Sequence, residues 1–264
     1  MSELQLTERI IARKEGAVGW LIFNNPERRN AVSVDMWEAI PRVLADFEAD
    51  PAIRVIVLTG SGDKAFVSGA DISQFDKQRS SADAVQHYEE LAEGAQARLQ
   101  ACDKPVIAMI RGYCLGGGLN IAVLCDLRIA ADDARFGIPA AKMGLGYRAS
   151  SMKNLVDVVG AAYAREIMIT ARQFTASEAK EMGLVNRVVP VPELEKAILE
   201  YTETVSGNAP LTMRAAKRII REVVRNDYDA ALCKTWVKEC FESEDYKEGK
   251  KAFMEKRKPA FKGR

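Results

Sequence analysis

From Val106 to Leu124 the chain passes from a continuous apolar run, Val106–Ile110, through Gly112-Tyr113-Cys114-Leu115-Gly116-Gly117-Gly118 into a second apolar run, Leu119–Leu124. A short run without polar alternation is the pattern of a strand covered on both faces. Leu119–Leu124 then reads as a buried helix, so the segment is a strand, a glycine-rich turn and a helix start. Free backbone N–H groups of Gly117 and Gly118 would face outward at the positive end of that helix. Such a place stabilises an anion, including one that develops during a reaction. The same glycines could equally serve only to let one backbone pack closely on another. Two nucleotide-binding readings fail on the spelling. In G-x-G-x-x-G, after Gly116 and Gly118, the last glycine falls on Ile121, and in a P-loop counted from Gly112 and Gly117 the Lys-Ser/Thr pair is replaced by Gly118-Leu119.

The same alternation extends along the chain. Val18–Phe23 reads as a strand ended by Asn24-Asn25-Pro26, and Ser33 is placed to cap a helix carrying Met36, Ile40, Val43, Leu44 and Phe47 on one side. Pro41 falls inside that pattern and is expected to kink the helix or weaken it by about 3 kcal/mol. Ile53–Leu58 is a second strand stopped by Gly60-Ser61-Gly62, and Val85, Tyr88, Leu91, Ala95, Leu99 and Cys102 mark a long amphipathic helix. Leu127–Ala130 begins a further strand. Alternation of this kind argues α/β with crossover helices. After Pro190 the pattern becomes helical, with helices over Leu194–Val205, Leu211–Arg225 and Ala230–Phe241. The expected division is a core over residues 1–194 and a helical region over 195–264.

Charge and composition remove several function classes. Thirty-eight basic residues against 37 acidic ones leave a formal charge of +1, so no nucleic-acid partner is expected. No apolar run approaches the roughly 18 residues of a membrane span, and the first residues lack a signal-peptide core. Five cysteines without a C-x-x-C pair, and the single histidine His87, give no expected metal site. A cytoplasmic protein with reduced thiols is expected.

A second segment, Lys64-Ala65-Phe66-Val67-Ser68-Gly69-Ala70-Asp71-Ile72, again offers small residues with free amides. Together with Gly112-x-x-x-Gly116-Gly117-Gly118 it resembles the enoyl-CoA hydratase/isomerase (crotonase) superfamily. The likeness continues through Asn25-Pro26 with Asn30-Ala31, Cys125-Asp126, Arg135-Phe136-Gly137, Phe174-Thr175-Ala176 and Gly183-Leu184-Val185-Asn186, to the closing Glu255–Lys262. The resemblance implies a spiral of ββα units followed by helices that form trimers, often stacked as hexamers. It also implies an acyl-coenzyme A substrate, no permanently bound cofactor, and a thioester oxygen held by the amides of Ala70 and Gly117. Arg28, Arg29, Lys64 and Lys256 are implied to meet the CoA phosphates, Lys256 from a neighbouring subunit in many members. Ala65-Phe66 and Ala70-Asp71-Ile72 are implied to flank the adenine.

Where family hydratases carry two glutamates, this chain has Asn120 and Ala140. Asn orients water but exchanges no proton, and Ala does neither. The aspartate of dienoyl-CoA isomerases corresponds to Arg148, and Tyr147 resembles a pocket tyrosine of methylmalonyl-CoA decarboxylases. Asn120, Tyr147 and Arg148 are thus candidate catalytic side chains, with Ala140 and Tyr88 in the acyl pocket. Alternatively Tyr147 is a pocket wall and Arg148 pairs with a helix carboxylate; the resemblance implies that the segment of His87, Tyr88, Glu89, Glu90 and Glu93 covers the acyl pocket, where it either supplies a replacement acid or forms a solvated helix face. The expectation leans to a lyase, such as decarboxylation of a carboxylated acyl-CoA, because loss of carbon dioxide makes an enolate without a base. An isomerase, a hydratase with a substitute acid, a thioester hydrolase and a non-catalytic CoA-binding protein are the alternatives.

Overall fold

A computed structural model describes residues 7–71, 82–225 and 227–264. Among these residues, ten strands fall into two sheets. The larger contains β1 (Ile10–Glu15), β2 (Val18–Phe23), β3 (Val55–Gly60), β5 (Val106–Ile110), β7 (Leu127–Ala131) and β10 (Arg187–Val189), in that order. All its pairs are parallel except β1 with β2. The smaller contains β4 (Ala65–Val67), β6 (Tyr113–Leu115), β8 (Arg135–Gly137) and β9 (Phe174–Thr175). From β3 to β8 consecutive strands are dealt alternately to the two sheets: β3 and β4 precede helix α2 (Ala82–Gln100), β5 and β6 precede α3 (Gly117–Leu124), and β7 and β8 precede α4 (Ala149–Thr170). The ββα repeat expected from the family resemblance is therefore the organising unit.

Both faces of the larger sheet are covered, which explains why its strands read as unbroken apolar runs. Side chains alternate between two cores. Leu21, Phe23, Ile56, Leu58, Val106 and Ala108 join the main core with the buried stripe of α1 (Val34–Ala49). Trp20, Val55, Val57, Ile107 and Ile129 face the other way, against Leu194, Ala197 and Ile198 of α6 (Leu194–Ser206). A division at 194/195 would cut through this contact. Helix α5 (Ala176–Glu181) precedes β10, and α7 (Pro210–Val223), α8 (Ala230–Glu242) and α9 (Glu244–Met254) follow α6. Helix α7 reaches the core through charged contacts, Lys217 to Asp126 at 2.7 Å and Arg218 to Asp103 at 2.6 Å.

Helix α1 runs unbroken through Pro41. Burial of Met36, Ile40, Val43, Leu44 and Phe47 on its inner side offsets the missing backbone hydrogen bond. Ser33 stands at the helix N-cap but its hydroxyl donates to the Asp35 carboxylate rather than accepting from the helix backbone. No helix among the described residues is long and apolar enough to cross a membrane.

Candidate functional site

Three neighbouring strands of the smaller sheet, β4, β6 and β8, are mutually parallel. Their C-terminal ends therefore open side by side into three loops: Ser68-Gly69-Ala70, Gly116-Gly117, and Ile138-Pro139-Ala140. Crevices outside the carboxyl ends of parallel strands are where α/β folds bind ligands. A cavity of about 250 Å³ lies there, bounded also by Trp37, Tyr88, Glu89, Asn120, Tyr147 and Arg148.

The two small-residue loops are held rigidly. Val32 N–H donates to Gly69 O at 2.8 Å and Asp71 N–H donates to Val32 O at 3.0 Å. Gly116 N–H donates to Gly137 O at 2.9 Å, and its φ of 53° is a conformation that favours glycine. Buried Asn30 ties the next layer: its amide donates to Ala65 O at 2.7 Å and Ser61 O at 3.0 Å. Asn30, noticed in the sequence as part of a short motif, is thus a clamp on β4.

Both readings of the glycine segment hold, for different glycines. A methyl group at Gly112 would lie 2.1 Å from Lys64 O, and one at Gly118 would lie 2.1 Å from Val67 O, so these two permit close backbone packing. Gly118→Ala is accordingly expected to destabilise the protein by about 1–3 kcal/mol or more; a thermal midpoint unchanged from the parent would contradict this packing. Gly117 differs. A methyl there would sit 3.9 Å from Ala70 N, with no atom nearer than 3.8 Å, so Gly117 and Ala70 stand side by side without mutual pressure. Neither of their N–H groups has an acceptor among the described residues. Gly117 is the first residue of α3, where an unpaired N–H is intrinsic to the helix.

The side chains behind these amides are few and mostly polar. Asn120, on α3, and Tyr147 each bury an oxygen, Oδ1 and Oη, that has no partner in an ordinary hydrogen-bonding geometry. Burial pushes the Tyr147 phenol up to about 12, with nearby Asn120 and Arg148 opposing the shift. The Trp37 indole N–H donates to the Tyr88 hydroxyl at 3.0 Å, joining α1 to α2 at the cavity wall. Arg148 stands at the N-cap of α4, its guanidinium 3.3 Å from Glu89 Oε1 and 3.2 Å from Glu93 Oε1.

Across residues 13–264 the chain matches the family model described as enoyl-CoA hydratase/isomerase. The chain belongs to the enoyl-CoA hydratase/isomerase family. It is 36% identical to the short-chain-enoyl-CoA hydratase of Clostridium acetobutylicum, over 94% of this chain and 95% of that one. It is 33% identical to the peroxisomal Delta(3,5)-Delta(2,4)-dienoyl-CoA isomerase of Arabidopsis thaliana, over 99% of this chain and 98% of that one. A crystal structure of an enoyl-CoA hydratase/carnithine racemase from Magnetospirillum magneticum superposes with a TM-score of 0.92 at 34% identity, covering 99% of each chain.

Within this hydratase/isomerase fold, Ala70, Gly117, Asn120, Tyr147, Arg148, Ala140 and Tyr88, separated widely in sequence, line one cavity. The residues expected to meet CoA lie elsewhere. Arg28, Arg29 and Lys64 are exposed beside the smaller sheet, with the Arg29 guanidinium 5.0 Å from the centre of the Tyr113 ring. Phe66, expected to flank an adenine, is instead a core side chain: it is 1% exposed and meets Phe23 edge-on at 5.8 Å. Ala65 and Asp71 are buried as well. Ile72 lies outside the described residues. Lys256 is exposed at the end of α9 and is not among the residues of the cavity. His87 is exposed and also stands apart from it. Trp37 carries no sequence signal of its own, and Glu89 belongs to the segment of His87, Tyr88, Glu89, Glu90 and Glu93, which reads first as a solvated helix face and second as the source of a replacement acid. Trp37 sits in a helix whose apolar stripe hides its neighbour-facing edge, and Glu89 sits in a run of polar residues that reads as a solvated face.

Proposed function

We propose that the protein binds acyl-coenzyme A thioesters and holds the carbonyl oxygen between the amides of Ala70 and Gly117 as it becomes an enolate oxygen. One observation carries this reading: two N–H groups that have no acceptor among the described residues stand together at the cavity, on separate, rigid loops. Donors fixed in advance stabilise developing charge without reorganising. Enolate chemistry is favoured over addition of water, because positions 120 and 140 carry no carboxyl group to activate water or deliver its proton.

The lyase reading has support of its own. Loss of carbon dioxide from a carboxylated thioester leaves its electron pair as the enolate, and the buried Tyr147 hydroxyl, which has no partner in an ordinary hydrogen-bonding geometry among the described residues, can donate to such a carboxylate. Arg148 already faces Glu89 and Glu93, so its charge would not hold a substrate carboxylate in the starting state as a free cation would. Arg28, Arg29 and Lys64 are the proposed contacts for the CoA phosphates, with Lys256 supplied by a neighbouring copy. The apolar side chains Phe253 and Met254, 86% and 81% exposed on α9, support self-association as a trimer or hexamer.

Incubation with crotonyl-, 3-butenoyl-, methylmalonyl- and β-ketoacyl-CoA, with products read by mass spectrometry, tests the reading. Turnover of 3-butenoyl-CoA or methylmalonyl-CoA well above hydration of crotonyl-CoA is expected. Rapid hydration of crotonyl-CoA with no other product would overturn it.

A further inference from the structure

An enolate formed by proton removal needs a group that can carry a proton close to the thioester. The titratable side chains lining the cavity, among the described residues, are Tyr88, Glu89, Tyr147 and Arg148. Tyr88 is engaged with Trp37. Burial keeps the Tyr147 hydroxyl protonated through neutral pH, so it serves as a donor and not as a base. Arg148 is a permanent cation. Glu89 is the remaining group and, among the described residues, the one carboxyl on the cavity wall.

We infer that Glu89, on α2, is the proton-carrying residue of this cavity, replacing in function the carboxylates absent at positions 120 and 140. This rests on the enolate reading above and names the residue that would serve it. Arg148, at the N-cap of α4, holds the Glu89 carboxylate from across the cavity at 3.3 Å. Glu93 takes the other side of the guanidinium but does not line the cavity. Glu89 is half exposed, so it also meets solvent, from which a lost proton is restored.

With a 3-enoyl thioester the step balances as follows. The bond between the α-carbon and its hydrogen breaks, the proton passes to a Glu89 oxygen, and the electron pair moves into the dienolate whose oxygen rests on the Ala70 and Gly117 amides. The carboxylic acid so formed returns the proton to the γ-carbon. The electron pair then settles as the double bond between the α- and β-carbons, with no oxidant or reductant required. The substrate class this favours is an enoyl thioester with an acidic α-hydrogen.

The test is α-hydrogen exchange and isomerisation of 3-butenoyl-CoA in D2O, followed by mass spectrometry and proton NMR, with binding of the thioester measured by calorimetry. Glu89→Gln is expected to slow exchange and isomerisation together by at least about 100-fold, the usual contribution of a positioned acid–base group, while thioester affinity is retained. Glu89→Asp, which keeps the carboxyl one carbon shorter, should recover part of the rate. Glu93→Gln removes the other ion-pair partner of Arg148 and is expected to change the rate less than about 5-fold, as for a half-exposed ion pair. Exchange by Glu89→Gln within about 5-fold of the parent would overturn the assignment and leave the enolate reading standing. Parent protein that binds 3-butenoyl-CoA and exchanges none of its α-hydrogens would overturn both.

Discussion

Gly117→Pro is expected to lower kcat/KM by about 10²–10³-fold, the cost of removing one preorganised oxyanion donor, with the fold left intact. The substitution is unusually selective here. Gly117 is the first residue of α3, a position where proline is favoured and where its missing N–H breaks no helical hydrogen bond. The Gly117 N–H has no acceptor among the described residues, so no bond to them is lost. A Cβ at this residue has no atom nearer than 3.8 Å, and the preceding Gly116 has no Cβ for the proline ring to meet. What disappears is one donor aimed at the cavity. The comparison variant is Gly117→Ala, which adds the Cβ and keeps the N–H, and is expected to lose far less. Assayed with the thioester that the product panel identifies, equal losses in the two variants would point to crowding of the pocket and would sink the oxyanion assignment. A fall in thermal midpoint of Gly117→Pro as large as that of Gly118→Ala would do the same.

The contrast between Gly117 and Gly118 shows where a sequence stops being legible. Both are glycines at the start of one helix, and the spelling G-G-G assigns them identical freedom. The difference is tertiary: Gly118 lies against the Val67 carbonyl of β4, while Gly117 faces an opening beside Ala70. Strands β2, β5 and β7 were readable because both faces of their sheet are buried, so apolar content alone marks them. Strands β4, β6 and β8 have only three residues each, too few for any periodicity, and exist through pairing with one another. Yet these are the strands that place the site. The family resemblance supplied what local pattern could not, linking Ala70 to Gly117 across the chain. For Glu89 it gave only a segment from which a replacement acid could come, and its neighbours on α2 look like solvent-facing charges until α4 brings Arg148 against them.

Arg128→Met is expected to destabilise the protein by about 3–5 kcal/mol, since the buried Leu184 and Cys125 carbonyls would lose this donor, at about 1–3 kcal/mol each, while Ala122 O keeps the Cys125 N–H. Arg128 is 6% exposed. Its guanidinium donates to Leu184 O at 2.6 Å, Cys125 O at 2.7 Å and Ala122 O at 3.3 Å, with no carboxylate within salt-bridge distance among the described residues. Burial pulls its pKa down, and the cation is retained because backbone carbonyls, two of them from the end of α3, surround it. A methionine fills a similar length with apolar atoms but satisfies none of these oxygens. Water cannot readily replace it, because Leu184 and Cys125 are themselves buried. Arg128→Lys keeps one charge and fewer, differently directed donors, so an intermediate loss is expected. The thermal midpoint should therefore fall in the order parent, Lys, Met, with the Met variant lower by several degrees. A Met variant within about 1 kcal/mol of the parent would mean that the carbonyls find other donors once the guanidinium is gone. The far end of α3 would then be held by packing of Leu119, Ile121 and Ala122 alone, and the alignment of Gly117 with Ala70 would owe nothing to this buried charge.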